Sequence, residues 1–229
     1  MKPLRDWDDL PDFMRTEEVR PYYDNLKKHE KELYLKRAFD VVAASILLVF
    51  LAPIMLVVAV WIKLDSPGPV FFRQTRITQY GKEFRIFKFR TMVNNADKMG
   101  SAVTIGGDSR ITEVGTIIRK YRIDEFPQLF NVLTGDMSFV GTRPEVPKYV
   151  SAYKDEMYAT LLLPAGITSK TSIEYKDEDA MLESSEDVDV VYVNNVLPDK
   201  MYWNLKGISN FNAFSELIIM IQTAFAVIK

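Results

Sequence analysis

The sequence predicts an α/β protein: a small membrane-associated domain with one long apolar helix, a short β-hairpin and several surrounding helices. Three features carry this. Val41 to Ile62 runs without a charged side chain. Two short strand-like runs, Val70 to Ile77 and Glu83 to Arg90, follow a Ser66-Pro67-Gly68-Pro69 turn. Helical spacing returns from Thr112 onward. At 229 residues the chain holds one compact domain and a membrane segment, with no room for two full soluble domains.

Residues before about Leu35 are polar and mixed in charge, and lack the basic start, apolar core and cleavage site of a signal peptide. A helix is expected from Glu18 to Leu35, with Pro21 in its first turn. Val41 to Ile62 would be about 33 Å long as a straight helix, against a hydrocarbon core of about 30 Å. Pro53 at its centre removes one backbone hydrogen bond and crowds the preceding turn, so a kink or break is expected. Both flanks are basic, with Lys36-Arg37 before and Lys63, Arg73 and Arg76 after, so the positive-inside rule picks no direction. A kinked spanning helix and a segment that turns at Pro53 and leaves on the same side both satisfy this pattern.

The two strand runs flank a loop at Tyr80-Gly81 and read as a hairpin close to the membrane. Its Arg73, Arg76, Arg85, Lys88 and Arg90 favour phosphate or lipid headgroups. Thr112 to Tyr121 reads as a helix capped by Thr112. A second short helix, from near Glu125 to Leu133 and ending before Gly135, would put Asp124 at a helix N-terminus that keeps it ionised. Val146 to Leu163 is helix-like. The last segment, Phe211 to Ile228, gathers Phe211, Phe214, Leu217, Ile218, Ile221, Phe225 and Ile228 on one face. With Glu216 and Gln222 inside it, packing on protein or resting in the membrane interface suits it better than a second span.

Charge and composition narrow the chemistry. A net charge of -2 conceals an asymmetry: Lys63 to Arg122 carries twelve Lys/Arg against five Asp/Glu, whereas Glu174 to Asp189 carries eight acids and only Lys176. The basic half suits phosphates or anionic lipid. Without cysteine there is no disulfide, thiolate nucleophile or Cys-based metal site. The single histidine, His29, lies in the charged run Lys27-Lys28-His29-Glu30-Lys31, which sets aside Ser-His-Asp, Cys-His and poly-His metal mechanisms.

The chemistry concentrates at Arg119-Lys120-Tyr121-Arg122-Ile123-Asp124-Glu125-Phe126-Pro127-Gln128-Leu129, followed by Gly141-Thr142-Arg143-Pro144-Glu145. A carboxylate that attacks a diphosphate approaches a polyanion, and like charges about 4 Å apart cost about 4 kcal/mol at an effective dielectric of about 20. Arg119, Arg122 and Arg143 offer forked donors to phosphate oxygens, and a divalent metal held partly by Glu125 would neutralise the rest. A nucleoside monophosphate leaving group and a phosphate acceptor are mostly ionised near neutral pH, their second pKa being about 6. Such a transfer needs no histidine, whereas a sugar hydroxyl as acceptor would call for an acid or base.

From Lys36 to Glu145 the chain resembles the bacterial sugar transferases known as monotopic phosphoglycosyl transferases. These move a phosphosugar from a nucleotide sugar to a polyprenyl phosphate. The likeness rests on Lys36-Arg37-Ala38-Phe39-Asp40, Ser66-Pro67-Gly68-Pro69-Val70-Phe71-Phe72-Arg73-Gln74, Phe87-Lys88-Phe89-Arg90-Thr91-Met92, and the Asp-Glu string with Phe126 to Ser138, in the same order. It implies Asp124 as covalent nucleophile, Glu125 as a Mg²⁺ ligand and Arg143 as a phosphate ligand; Arg119, Arg122, Lys88 and Arg90 are substrate-phosphate candidates on their own chemistry. It also implies a re-entrant membrane helix, which favours the turn at Pro53. UDP-sugar and polyprenyl (undecaprenyl) phosphate are the implied substrates. The cytoplasmic face of the bacterial inner membrane is the implied location, with membrane lipid around the protein and a homodimer allowed. The chain departs from the family at Ala52-Pro53, where Ser-Pro is common, and at Thr142-Arg143-Pro144, where the family has Pro-Arg-Pro.

The segments follow as a polar helical stretch over 1–35, a membrane helix-break-helix over 36–64, a catalytic domain over 65–205 and an apolar interfacial helix over 206–229. Two other readings compete. Asp187-Val188-Asp189 and Asp177-Glu178-Asp179 match the Asp-x-Asp motif of metal-dependent glycosyltransferases, though no strand series of a nucleotide-binding sheet precedes them. A non-catalytic membrane scaffold would explain the charge but not the Asp-Glu string. Nucleic acid is not expected as a partner.

Overall fold

The computed structural model describes residues 2–96, 99, 108–174 and 188–228. Helix α1 covers Arg20–Lys28 with Pro21 in its first turn, where a missing N–H leaves nothing unsatisfied. It ends at His29 (φ -101°, ψ 19°), and α2 starts afresh at Glu30, so the single helix expected over Glu18 to Leu35 is two. The opening residues are not a polar segment of their own. Leu4, Leu10, Met14, Val19, Tyr23 and Leu26 are buried in the largest core, beside Tyr149, Leu162, Leu197 and Met201.

Helix α2, Glu30–Asp65, passes through Pro53 without interruption and is about 54 Å long at 1.5 Å per residue. The expected break does not appear in its hydrogen-bonding pattern. Ala52, Pro53 and Ile54 all face outward, so the ring meets no neighbouring element there. One stripe of α2 faces protein along its length: Ala44, Leu48 and Leu51 pack on one core, and Met55, Val58 and Ile62 on another. These residues recur at intervals of three and four, the period of one helix face. The opposite stripe, including Val42, Val49, Phe50, Leu56, Val57 and Leu64, is exposed.

Polar residues in the first turns of α2 stitch it to the domain. Arg37 donates to the carbonyls of Val132 and Leu133 (2.6 and 3.0 Å), at the end of helix α4 (Gln128–Thr134). Lys36 donates to Val140 O (2.9 Å) and pairs with Glu216. Asp40 accepts from the Phe139 N–H at 3.3 Å. The basic flank that left membrane orientation undecided is thus engaged by protein.

The hairpin forms as expected. Strands β1 (Phe71–Ile77) and β2 (Glu83–Phe89) pair antiparallel from Phe71 opposite Phe89 to Ile77 opposite Glu83. Tyr80 (φ 61°) and Gly81 (φ 74°) make the turn, and a Cβ at Gly81 would come within 2.8 Å of Phe13 Cζ. The free edge of β2 is closed by a side chain: Asn131 on α4 accepts from the Phe87 N–H (2.8 Å) and donates to Arg85 O (3.1 Å). Helix α3, Glu113–Lys120, carries the expected Thr112 cap, whose hydroxyl accepts from Gly115 N–H.

A second sheet pairs β3 (Met137–Val140) in parallel with β4 (Ala165–Thr168). Between them the helix expected over Val146 to Leu163 is replaced by α5 (Pro147–Val150) and a 3₁₀ stretch, Asp155–Leu162. Asp155 at φ 42° ends any continuation. Helices α6 (Lys170–Glu174), α7 (Val188–Val191), α8 (Leu197–Ser209) and α9 (Ala213–Ile228) complete the chain. On α9 the apolar face read from sequence points outward at Phe214, Leu217, Ile218, Ile221 and Phe225, while Ile219 and Met220 pack inward and Phe211 is buried before the helix begins.

Candidate active site

The Asp-Glu pair sits on a sharp reversal. After α3 the chain turns through Arg122, whose backbone is left-handed (φ 52°), into a single 3₁₀ turn, Ile123–Glu125. Helix α4 begins only at Gln128, behind Pro127. Asp124 is therefore on the 3₁₀ turn and not at the N-terminus of α4, and the ionising helix end expected from sequence is displaced by a full turn.

Both carboxyls are largely enclosed, with side chains 13% and 9% exposed. Lys88 reaches them from β2: its Nζ lies 2.9 Å from Glu125 Oε1 and 3.9 Å from Asp124 Oδ2. Arg143, on the loop after β3, donates from Nη2 to the same Glu125 oxygen at 2.8 Å. That loop is fixed by close backbone contact, since a Cβ on Gly166 would lie 2.2 Å from Gly141 N. Arg119 lines the cleft from the last turn of α3.

The two acids are tuned apart. Burial pushes the Asp124 carboxyl up from its ordinary range, only partly opposed by Lys88, and the Glu125 charge adds to the rise. Burial would raise Glu125 as well, but Arg143 and Lys88 together overcome it and hold Glu125 firmly ionised. The environment that was expected to keep Asp124 ionised thus acts on its neighbour. Lys88 is itself lowered by burial, and Glu125 raises Arg143. Two cations and two acids leave this quartet neutral when all are charged.

Around it lies a cleft of about 540 Å³, walled by the hairpin and by Met92 to Ala96, and lined by Arg73, Arg76, Arg85, Arg110 and Arg119. Arg110 escaped the sequence reading; it arrives through the backbone pairing of Val93 with Arg110 and is braced by Asp108 at 2.6 Å. No local motif marks it, because its position depends on a contact across a loop. Asn131 was equally silent, a polar residue within an apolar helix whose partners lie on a distant strand.

Other expected residues fall elsewhere. Arg90 lines the cleft, but its guanidinium is committed to the end of α2, donating to Ser66 O (2.7 Å) and Pro67 O (2.5 Å). Its role is to clamp the apolar helix to the hairpin. Arg122 is exposed and is not among the cleft-lining residues. Pro53 lies on the outward side of α2, away from the carboxyls. Asp177, Glu178, Asp179 and Asp187 lie outside the described residues, while Asp189 is engaged by Lys148 and Tyr149 (2.6 and 2.5 Å).

Among the described residues no three acids or histidines gather into a metal cage. Mg²⁺ needs less, since it takes one or two carboxylates and completes its shell with water and substrate phosphate oxygens. Asp124, which lines the cleft, and its neighbour Glu125 are the carboxylates that would hold such an ion.

Asp124 lines an arginine-rich cleft with Glu125 packed behind it on Lys88 and Arg143, and among the described residues one helix is long and apolar enough to cross a membrane; the arrangement suits phosphotransfer. Residues 31–229 match the bacterial sugar transferase family, and the chain belongs to it. It is similar to the UDP-glucose:undecaprenyl-phosphate glucose-1-phosphate transferase of Escherichia coli (strain K12), 38% identical over 212 residues, 90% of this chain and 43% of that protein. It is 47% identical over 135 residues to the UDP-N-acetylgalactosamine-undecaprenyl-phosphate N-acetylgalactosaminephosphotransferase of Aeromonas hydrophila, 57% of this chain and 32% of that one. A putative undecaprenyl-phosphate N-acetylgalactosaminyl 1-phosphate transferase of Bacillus subtilis (strain 168) is 40% identical over 131 residues, 57% of this chain and 73% of that one. The chain thus spans about a third and under half of the first two relatives' lengths.

Proposed function

We propose that this chain transfers a sugar-1-phosphate from a UDP-sugar to polyprenyl (undecaprenyl) phosphate, through a phosphosugar bound covalently to Asp124, and so starts the assembly of a glycan. The observation that carries the reading is the division of labour between the adjacent acids. Glu125 is held ionised by Lys88 and Arg143, whereas Asp124 has no cation closer than 3.9 Å among the described residues. A carboxylate whose pKa is raised by burial is a better nucleophile once ionised.

An Asp124 oxygen attacks the sugar-bearing phosphorus, the bond to the bridging oxygen breaks, and UMP leaves with that electron pair. An oxygen of the acceptor phosphate then attacks the same phosphorus and restores the Asp124 carboxylate. Neither step needs a proton donor, in keeping with the absence of histidine from the cleft. Arg143 and Lys88 hold and orient the phosphoryl oxygens beside Glu125. Mg²⁺, held by Glu125 with Asp124 near, would supply further charge neutralisation at the diphosphate.

The membrane arrangement we favour is monotopic, with α2 remaining one helix but bending about Pro53 within the cytoplasmic leaflet of the inner membrane, so that both of its ends stay on the cytoplasmic side. Both halves of α2 pack on the same catalytic body, and its outward stripe and that of α9 are apolar. A helix crossing to the far side would have to strip one of those halves from its packing. Purified protein should release UMP from one member of a UDP-sugar panel when undecaprenyl phosphate is added. Inactivity across a broad panel would favour the scaffold reading.

A further inference from the structure

We propose that Arg76 is a second phosphate seat in the cleft, distinct from Arg143, and that it receives the phosphate of the departing nucleotide. The inference rests on the transferase reading for the identity of that ligand. Its structural basis is a charge imbalance. Lys88 and Arg143 are matched by Asp124 and Glu125, so the quartet brings no net attraction for a diphosphate. Arg76 lines the same cleft from β1, and all of its donated bonds go to neutral acceptors. Nε and Nη2 donate to Gln74 Oε1 (3.1 and 2.7 Å), and Nη1 to Pro144 O (3.0 Å).

Among the described residues no carboxylate lies within ion-pair distance of Arg76. Glu145, the acid whose charge it feels, accepts instead from the Tyr192 hydroxyl at 2.6 Å. Burial lowers the Arg76 pKa despite Glu145, and Arg143 lowers it further. A half-buried guanidinium without a counter-charge is costly to the folded protein, and an anion relieves that cost. Five N–H groups less the three engaged leave one on each terminal nitrogen, a pair suited to two oxygens of one phosphate. The tether to Pro144 O sets this fork next to the residue after Arg143. A phosphate bound there lies beside the one facing Asp124, the relation between the two phosphates of a nucleotide sugar.

The test is equilibrium binding of UMP and of farnesyl phosphate to the full-length protein in detergent. Arg76→Gln should weaken UMP about tenfold or more, the loss of one charged contact, and leave farnesyl phosphate near wild type. Gln74→Glu guards against a misfolded Arg76 variant. It keeps the tether and makes it an ion pair, so a purely structural Arg76 gains stability with UMP affinity unchanged, and that result would overturn the proposal. A loss of UMP affinity in Gln74→Glu with raised thermal stability and farnesyl phosphate near wild type supports it, since a carboxylate that merely repelled anions throughout the cleft would weaken both ligands. Weakening of farnesyl phosphate alone would also overturn it, by assigning Arg76 to the acceptor. If wild type binds UMP through Arg76 yet releases none from UDP-sugars, the transferase reading fails while the seat stands.

Discussion

Arg143 donates to Glu125 across 2.8 Å, joining the loop after β3 to the turn before α4. This contact fixes which of the two adjacent acids is held by cations and which is free to attack. Replacing either by its amide should therefore have opposite effects on stability. Asp124 has a raised folded-state pKa, so its ionised form costs stability at any pH above that pKa, and none well below its ordinary 3.8. Asp124→Asn should be inactive and melt higher than wild type near neutral pH. Glu125 is depressed, so it contributes stability above its ordinary 4.5 that is lost as pH falls through its folded value. Glu125→Gln should lose about 1–3 kcal/mol at neutral pH, since it leaves the largely enclosed Lys88 without its partner while Arg143 keeps access to solvent. Melting curves for both variants at neutral and acid pH check the pair; parallel shifts in both would contradict the assignment.

Arg143→Lys keeps the charge and loses the planar fork. A contact worth about 1.5–3 kcal/mol implies a fall in UMP release of about tenfold or more. Steady-state kinetics indistinguishable from wild type would remove Arg143 from the site.

Asn131→Ala should strip the outer edge of β2, leaving the Phe87 N–H and the Arg85 carbonyl without their partners. Both groups are only partly buried, so the loss is expected near the lower end of the ~1–3 kcal/mol that a buried unsatisfied group costs. Because β2 carries Lys88, turnover should fall along with melting temperature. A variant of wild-type stability would mean that water replaces the amide at no cost.

Local pattern made the hairpin legible, because alternation, the proline turn and Tyr80-Gly81 all lie within a few residues of what they shape. The Thr112 cap was legible for the same reason. The position of Asp124 was not, since Arg122 adopts a left-handed backbone that no local propensity calls for, and this inserts a 3₁₀ turn before α4. The charge of Arg90 suggested phosphate, and it does line the cleft, but its bonds to Ser66 and Pro67 depend on the hairpin meeting the end of α2 and no local pattern announces them. Pro53 suggested a kink or break in α2, yet the helix continues across the one bond that proline cannot donate, with packing on both halves to hold it together. The burial of Leu4, Leu10 and Met14 was hidden by the acids between them, which point to solvent while the apolar residues turn inward.

The monotopic arrangement places the start of α2 and the start of α3 on one side of the membrane. Single cysteines at Lys31 and Glu113, both exposed, can be introduced into a chain that has none. Both should be shielded from a membrane-impermeant thiol reagent in intact cells and react after lysis. Labelling of the Lys31 site in intact cells would establish a spanning helix instead.

A covalent intermediate on Asp124 can be weighed directly. Protein incubated with Mg²⁺ and its UDP-sugar, without undecaprenyl phosphate, is quenched, digested and analysed by mass spectrometry. The peptide containing Asp124 and Glu125 should gain the mass of one phosphosugar, fragmentation should assign it to Asp124, and undecaprenyl phosphate added before the quench should discharge it. An unmodified peptide from protein that turns over normally, or a phosphosugar on any other residue, would contradict it.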